Sequence, residues 1–232
     1  MKILSFDIET VAKHKYYTDL DDKGSELWME RCSYRYTEYL SKFGDLGDEF
    51  YQHCWENKSG TVPAFSKILC ISVAVYDGSE IHTKSFYGDD EKHIIEEFFK
   101  LIYKLTEKKV PGYSLAGHNI KVFDIPFITK RAIINGIQYN SIPDVLQIID
   151  KKPWELGYIL DSKEMWSFGT RIFAESIDES CYSLGIKSPK ESLHGSEIYN
   201  HIHNGSSDMD QVAEYCENDA RAVIDLILRI RT

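Results

Sequence analysis

Three stretches of this chain carry acids at positions where they could work together. Asp7 and Glu9 belong to the run Lys-Ile-Leu-Ser-Phe-Asp-Ile-Glu at residues 2–9, in which Leu4, Phe6 and Ile8 alternate with Ser5, Asp7 and Glu9. A β-strand would project both carboxylates from one face. Two acids side by side in an otherwise apolar strand are costly unless a cation sits between them; an edge strand with its acids in water is the bland alternative. Asp124 lies in Gly117-His-Asn-Ile-Lys-Val-Phe-Asp-Ile-Pro-Phe127, just ahead of Pro126, which a helix tolerates only in its first turn. Asp is a favoured helix cap there, and capping is compatible with a water-mediated metal contact. Tyr215 and Asp219 are four residues apart in a long helical pattern, so they share one face. Val212, Cys216, Ala220 and Val223 make that side apolar and turn Asp219 inward, where its partner is either a metal or a Lys or Arg. Glu214, Glu217, Arg221 and Asp225 fall on wetter positions. An oxygen-only donor set suits Mg²⁺ or Mn²⁺, and the lack of a Cys/His ligand set disfavours zinc.

The elements that must position these acids follow from hydrophobic period and turn signals. Residues 2–9 read as a strand. Residues 68–76 form a β-rich apolar run closed by Asp77-Gly78, with a second strand near 80–87, which makes a hairpin. Ile94, Phe98, Leu101 and Leu105 give 90–106 a helical period. A short strand spans 113–117, and a helix begins after Asp124 and runs to about Asn135. Residues 140–205 mix short helices with Pro and Gly breaks. A last helix runs from about Asp208 to Arg229, with Ser207 and Asp210 placed as cap and capping partner. Residues 12–62, rich in Tyr, Glu, Asp and Lys, read as helical pieces with loops, an insertion within a single 1–232 domain. The order is that of a mixed α/β layer architecture.

Composition bounds the function. With 232 residues, 43% hydrophobic and 28% charged, the chain is an ordinary globular protein long enough for a sizeable core. No apolar run approaches the roughly 18 residues that cross a bilayer, and residues 1–9 lack the regions of a signal peptide. Cys32, Cys54, Cys70, Cys181 and Cys216 are odd in number and widely spaced, which indicates reduced thiols in a cytoplasmic protein. The formal charge of −10 argues against long, sliding contacts with duplex, because counterion release rewards basic surfaces. It leaves open a local grip on one strand end, with metal ions neutralising a carboxylate cluster.

Taken in order, Phe6-Asp-Ile-Glu-Thr10, Gly117-His-Asn-Ile-Lys121 with Phe123-Asp124, and Tyr215-Cys-Glu-Asn-Asp219 resemble the DEDD exonucleases. The closing motif is their tyrosine form, and the chain is similar to stand-alone relatives of the proofreading exonuclease domain of family B DNA polymerases. Ser188-Pro-Lys190 and Gly195-Ser196 add to the likeness, which is weakest over residues 12–62. It implies a ribonuclease H-like α/β fold: a mixed five-stranded sheet with helices on both faces. It further implies 3′–5′ hydrolysis of single-stranded DNA with two Mg²⁺ or Mn²⁺ ions. In that scheme Asp7 bridges the metals, Glu9 and Asp219 complete the water-activating site, Asp124 holds the second metal through water, and Tyr215 orients the attacking water.

Other candidates are weaker. Asn119 and Phe123 could meet the terminal nucleotide, although Phe123 equally suits the core. Thr10 either touches the terminal phosphate or ends the strand. Lys130 and Arg131 read as phosphate contacts or a solvated helix face. His194, His201 and His203 read as a metal cluster or plain surface. Tyr16, Tyr34, Tyr36 and Tyr39 either stack bases or pack the insertion. An RNA exonuclease and a catalytically silent nucleic-acid-binding domain are the competing functions; the silent domain would have lost a carboxylate, and none of the four is missing.

Overall fold

The alternation of residues 2–9 becomes the central strand of a five-stranded sheet. The computed structural model describes residues 1–106, 112–170, 175–188, 195–205 and 208–231. In chain order the elements are β1 (Ile3–Ala12), α1 (Asp22–Arg35), α2 (Leu40–Phe43), α3 (Asp48–Lys58), β2 (Ser66–Tyr76), β3 (Ile81–Tyr87) and α4 (Glu91–Thr106). They continue with β4 (Ser114–Gly117), α5 (Asp124–Ile134), β5 (Ile159–Asp161), α6 (Ser162–Trp166), α7 (Ile177–Leu184), α8 (Ile198–His203) and α9 (Met209–Arg231). The sheet order is β3-β2-β1-β4-β5. β2 and β3 form the expected antiparallel hairpin, from Cys70 opposite Tyr87 to Tyr76 opposite Ile81. Its turn is set by Asp77, whose Oδ1 accepts the Ser79 and Glu80 N–H groups at 2.8 and 3.1 Å. β4 runs parallel to both β1 and β5. With β1 inside the sheet, the edge-strand reading of Asp7 and Glu9 falls.

The chain divides into two compact units, the first made of Met1–Glu9, Ile68–Leu193 and Met209–Thr232. Within it, the two-residue period of the strands sends alternate side chains to opposite faces. Leu4, Phe6, Ile8, Ile71, Val73, Leu115 and Ile159 pack against Ile95, Phe98 and Ile102 of α4 and Ile125 and Ile128 of α5. Ile3, Ala74, Ala116 and Leu160 face the other way, onto Ile177 and Cys181 of α7 and Ala220, Val223, Ile224 and Ile227 of α9. The alanines on both partners let the last helix lie close to the sheet. Burying side chains the size of Leu4 or Phe6 contributes about 1.5–3 kcal/mol each. α4 and α5 are also tied by a buried ion pair: Arg131 is 3% exposed, and its Nε and Nη2 donate to the Glu91 carboxylate at 2.8 and 2.5 Å. Arg131 is thus neither a phosphate contact nor part of a solvated face, whereas Lys130 is exposed.

The second unit consists of Thr10–Lys67 with His194–Asp208, so it is wider than the 12–62 segment and draws on a distant piece of chain. It is helical, as its composition suggested. Trp28 and Trp55, both fully buried, meet edge-to-face at 5.0 Å. Each indole N–H is satisfied, by the Tyr51 carbonyl at 3.1 Å and the His14 carbonyl at 3.0 Å, which lets amphipathic rings fill a core. Tyr36 packs on Trp28 and Tyr39 on His53, while Tyr16 and Tyr34 are exposed. His203 Nε2 contacts the Ala12 carbonyl and His201 Nε2 that of Asp208. Those ring nitrogens serve the backbone instead of forming a metal cluster; His194 lies outside the described residues.

Candidate active site

β1 delivers Asp7 half-buried and Glu9 buried. Its ladder to β4 ends with Ser5 opposite Ala116. Three residues on, the freed Ile8 N–H donates instead to the Asp124 carboxylate, which also accepts its own N–H. α5 begins at Asp124 itself, and the preceding Phe123 makes no side-chain cap. The capping alternative therefore gives way: the Asp124 carboxylate is committed toward β1. The turn that carries it there needs a close approach at Gly117, where a Cβ would lie 2.6 Å from the Ile120 Cβ.

α9 supplies the remaining groups, with Tyr215 and Asp219 both buried and the Tyr215 hydroxyl hydrogen-bonded to Asp219. Val212, Cys216, Ala220 and Val223 are buried beside them, and Glu214, Arg221 and Asp225 are exposed, as the helical period required. The charges converge on Asp7. Burial first, then the neighbouring Asp219, Asp124 and Glu9, push its carboxyl well above the usual range. Burial, together with Asp161 and Asp219, raises Asp124 to about 7 against the bonds it accepts. Burial, then Asp219, Glu9 and Asp7, push the Tyr215 phenol up, so it stays protonated.

Cys216 is a member of this group that residue type did not single out. Oxygens of Asp7 and Glu9 and the Cys216 Sγ all lie within 4.8 Å of one another. Burial holds the thiol well above its usual pKa, and it approaches the Asp7 carbonyl at 3.3 Å and Oδ2 at 3.5 Å as a donor. The anionic donors are thus carboxylate oxygens that repel one another. That set fits a hard divalent cation, which would relieve the repulsion.

The substrate candidates differ in what the structure has already asked of them. The Thr10 hydroxyl, in the second unit, donates to the Gly60 carbonyl at 2.7 Å, so its one O–H is committed. Phe123 is half-buried and packs on Phe127 with ring centroids 5.3 Å apart. Asn119 adopts a left-handed backbone with φ 68° and lines a pocket of about 420 Å³ with Val122, Asp161, Lys163 and Ser167. Asp161 is a buried acid that sequence reasoning missed. A three-residue strand offers too little alternation to mark its closing residue. Near the other quoted residues, Ser188 donates to Asp178, and Lys190 and the expected cap Ser207 lie outside the described residues.

Residues 62–232 match a family model described as "Predicted 3′-5′ exonuclease related to the exonuclease domain of PolB". The matched span holds Asp124, Tyr215 and Asp219 but not Asp7 and Glu9, which the fold brings to them. No curated protein matches the chain. Among solved structures it is similar to the family B DNA polymerase from the hyperthermophilic archaeon Pyrobaculum calidifontis, with a TM-score of 0.60 and 14% identity. That likeness covers 100% of this chain and 24% of the polymerase, so the chain spans about a quarter of that protein's length. The fold is the ribonuclease H-like α/β arrangement of such exonuclease domains.

Proposed function

We propose that this chain, which belongs to the family of predicted 3′–5′ exonucleases related to the exonuclease domain of PolB, removes nucleotides from the 3′ end of single-stranded DNA. The observation that carries the reading is the convergence of Asp219, Asp124 and Glu9 on Asp7, with the Tyr215 hydroxyl held by Asp219. Asp7, Glu9, Asp124 and Asp219 would hold two Mg²⁺ or Mn²⁺ ions. When bound, such ions supply water activation, neutralisation of the charge that builds on phosphorus, and relief for the departing 3′-oxygen.

The protein's own groups do the positioning. Tyr215, protonated and donating to Asp219, keeps its oxygen lone pairs free to accept an O–H of the attacking water and aim it. Glu9 and Asp219 flank that water and favour its ionised form by taking its proton's hydrogen bond. The Asn119 amide is suited to a hydrogen bond with the terminal nucleotide, and the Phe123 edge left uncovered by Phe127 to a base or sugar. Thr10, with its donor given to Gly60, is assigned to holding the end of β1. The acidic charge is compatible with this chemistry, because gripping one strand end needs few phosphate contacts.

The test is digestion of 5′-labelled single-stranded DNA with Mg²⁺ or Mn²⁺, beside matched RNA and an Asp7→Ala variant. A ladder of shortening DNA products, abolished by EDTA and by the substitution, is expected. A ladder from RNA alone would transfer the same site to RNA processing. Binding of either strand without cleavage would overturn the catalytic reading.

A further inference from the structure

Asp161 closes β5 and is 2% exposed, yet its carboxylate serves two separate pieces of backbone. Oδ1 accepts the Asn119 N–H at 2.9 Å and, from the first turn of α6, the Lys163 and Glu164 N–H groups at 3.1 and 3.4 Å. Oδ2 accepts the Lys121 N–H at 3.3 Å. The same two pieces are joined again by Lys121 Nζ to Glu164 Oε2 at 2.6 Å and by His118 Nδ1 to Ser162 Oγ at 3.0 Å. The turn from Gly117 to Phe123 is therefore bound along its length to residues 161–164.

That turn holds its shape against a local cost. Asn119 sits in the left-handed region, which is unfavourable for a non-glycine residue and persists where surroundings over-determine it. Its N–H is the one Asp161 takes, while its carbonyl accepts the Val122 and Phe123 N–H groups at 3.1 and 2.9 Å. The reversal at Asn119 is what turns the chain so that Asp124, five residues on, reaches the Ile8 N–H.

The choice of residue is informative. Ser, Thr or Asn would cap α6 as well as Asp does without adding an anion beside Asp124, whose carboxyl Asp161 helps to raise. A second acceptor oxygen, needed to reach Lys121 while the first serves Asn119 and α6, is what only the carboxylate provides.

We propose that Asp161 is a positioning residue for the hydrolysis: its carboxylate clamps the 118–123 turn to the start of α6 and so sets where Asn119 and Asp124 stand. This rests on the exonuclease reading above. In this role Asp161 acts through the turn.

Two substitutions separate this role from helix capping. In Asp161→Ser a short hydroxyl still caps α6 but cannot span to Asn119 and Lys121. In Asp161→Asn the oxygen facing Asn119 is kept, and an NH₂ is set against the Lys121 N–H. The assay compares kcat and KM on 5′-labelled single-stranded DNA at saturating Mn²⁺, with Mn²⁺ binding followed by electron paramagnetic resonance and folding by thermal melts. For Asp161→Ser, displacing the turn by about 1 Å lowers kcat on the order of 10²-fold, raises KM and weakens Mn²⁺ binding, while the protein still melts cooperatively. Asp161→Asn falls between it and the wild type. Either variant matching the wild type in kcat, KM and Mn²⁺ binding would overturn the proposal, as would a loss that only tracks the folded fraction. Should Asp161→Ser not fold, Asp161→Asn decides by the same criteria. If the wild type cleaves and the variants cleave equally, only the positioning role falls; if the wild type cleaves nothing, the exonuclease reading falls and takes the inference with it.

Discussion

Replacing Asp124 by Asn stabilises the metal-free protein above neutral pH and removes its activity. The magnitude follows from the carboxyl being raised from 3.8 to about 7 by burial and by Asp161 and Asp219. That is roughly 3 units at about 1.4 kcal/mol each, or about 4 kcal/mol as an upper bound. Because the repulsion is shared with neighbouring acids, relieving one member returns part of it, so the expected gain is about 2–4 kcal/mol. At roughly 2–4 °C per kcal/mol for a chain of this size, the melting temperature rises by about 5–15 °C. The sign is set by linkage. A folded-state pKa above the unfolded value favours folding while both states are protonated, and that contribution is lost as pH rises between about 4 and 7. Asn has no such loss, so the two proteins match near pH 4 and separate by pH 8. Thermal melts of both from pH 4 to 8 in EDTA measure this; adding Mg²⁺ should then raise the wild type and leave Asp124→Asn behind. A difference that stays constant across that range, or a variant less stable at pH 8, would refute the account of Asp124 as a strained member of a cation site.

Arg131→Met strands the Glu91 carboxylate in the core, where its partners among the described residues are then the Ile68 N–H at 2.7 Å and the Asn135 Nδ2 at 2.8 Å. Urea unfolding should show a loss of about 3–5 kcal/mol, and a loss below about 1 kcal/mol would mean the pair is not what ties α4 to α5. Tyr215→Phe keeps the ring in its buried place and deletes the hydroxyl on Asp219; kcat on single-stranded DNA should fall about 10–10²-fold with KM nearly unchanged. An unaltered kcat would remove Tyr215 from the chemistry.

What could be read in the chain beforehand was whatever is local. The period of two put Leu4, Phe6 and Ile8 on one face, which the structure packs on α4 and α5, and Asp7 with Glu9 on the other; the period of 3.6 put Tyr215 and Asp219 together over a buried stripe. Asp77-Gly78 gave the hairpin its turn. What escaped was settled by partners far off in sequence. Arg131 looked like a surface cation because Glu91, 40 residues away, cannot be anticipated from a helical wheel. Asp124 looked like a cap because its acceptor role toward Ile8 arises only once β4 stops short of it. Asp161 ends a strand too short to show a period, and its partners Asn119 and Lys121 lie 42 and 40 residues upstream. The Thr10 hydroxyl was claimed by Gly60, 50 residues on, and residues 194–208 joined a unit that local composition had confined to 12–62.

The order in which the acids occur has a consequence for the protein as it is made. Asp7 and Glu9 are made first, Asp124 after them, and Tyr215 and Asp219 last of the group, Cys216 being 209 residues from its contact with Asp7. Since synthesis runs from Asp7 toward Asp219, the first two carboxylates have no partners from α9 until that helix has been made. A chain cut short ahead of α9 therefore holds Asp7 and Glu9 without Tyr215 and Asp219, and the acidic cluster closes only once α9 packs against the sheet.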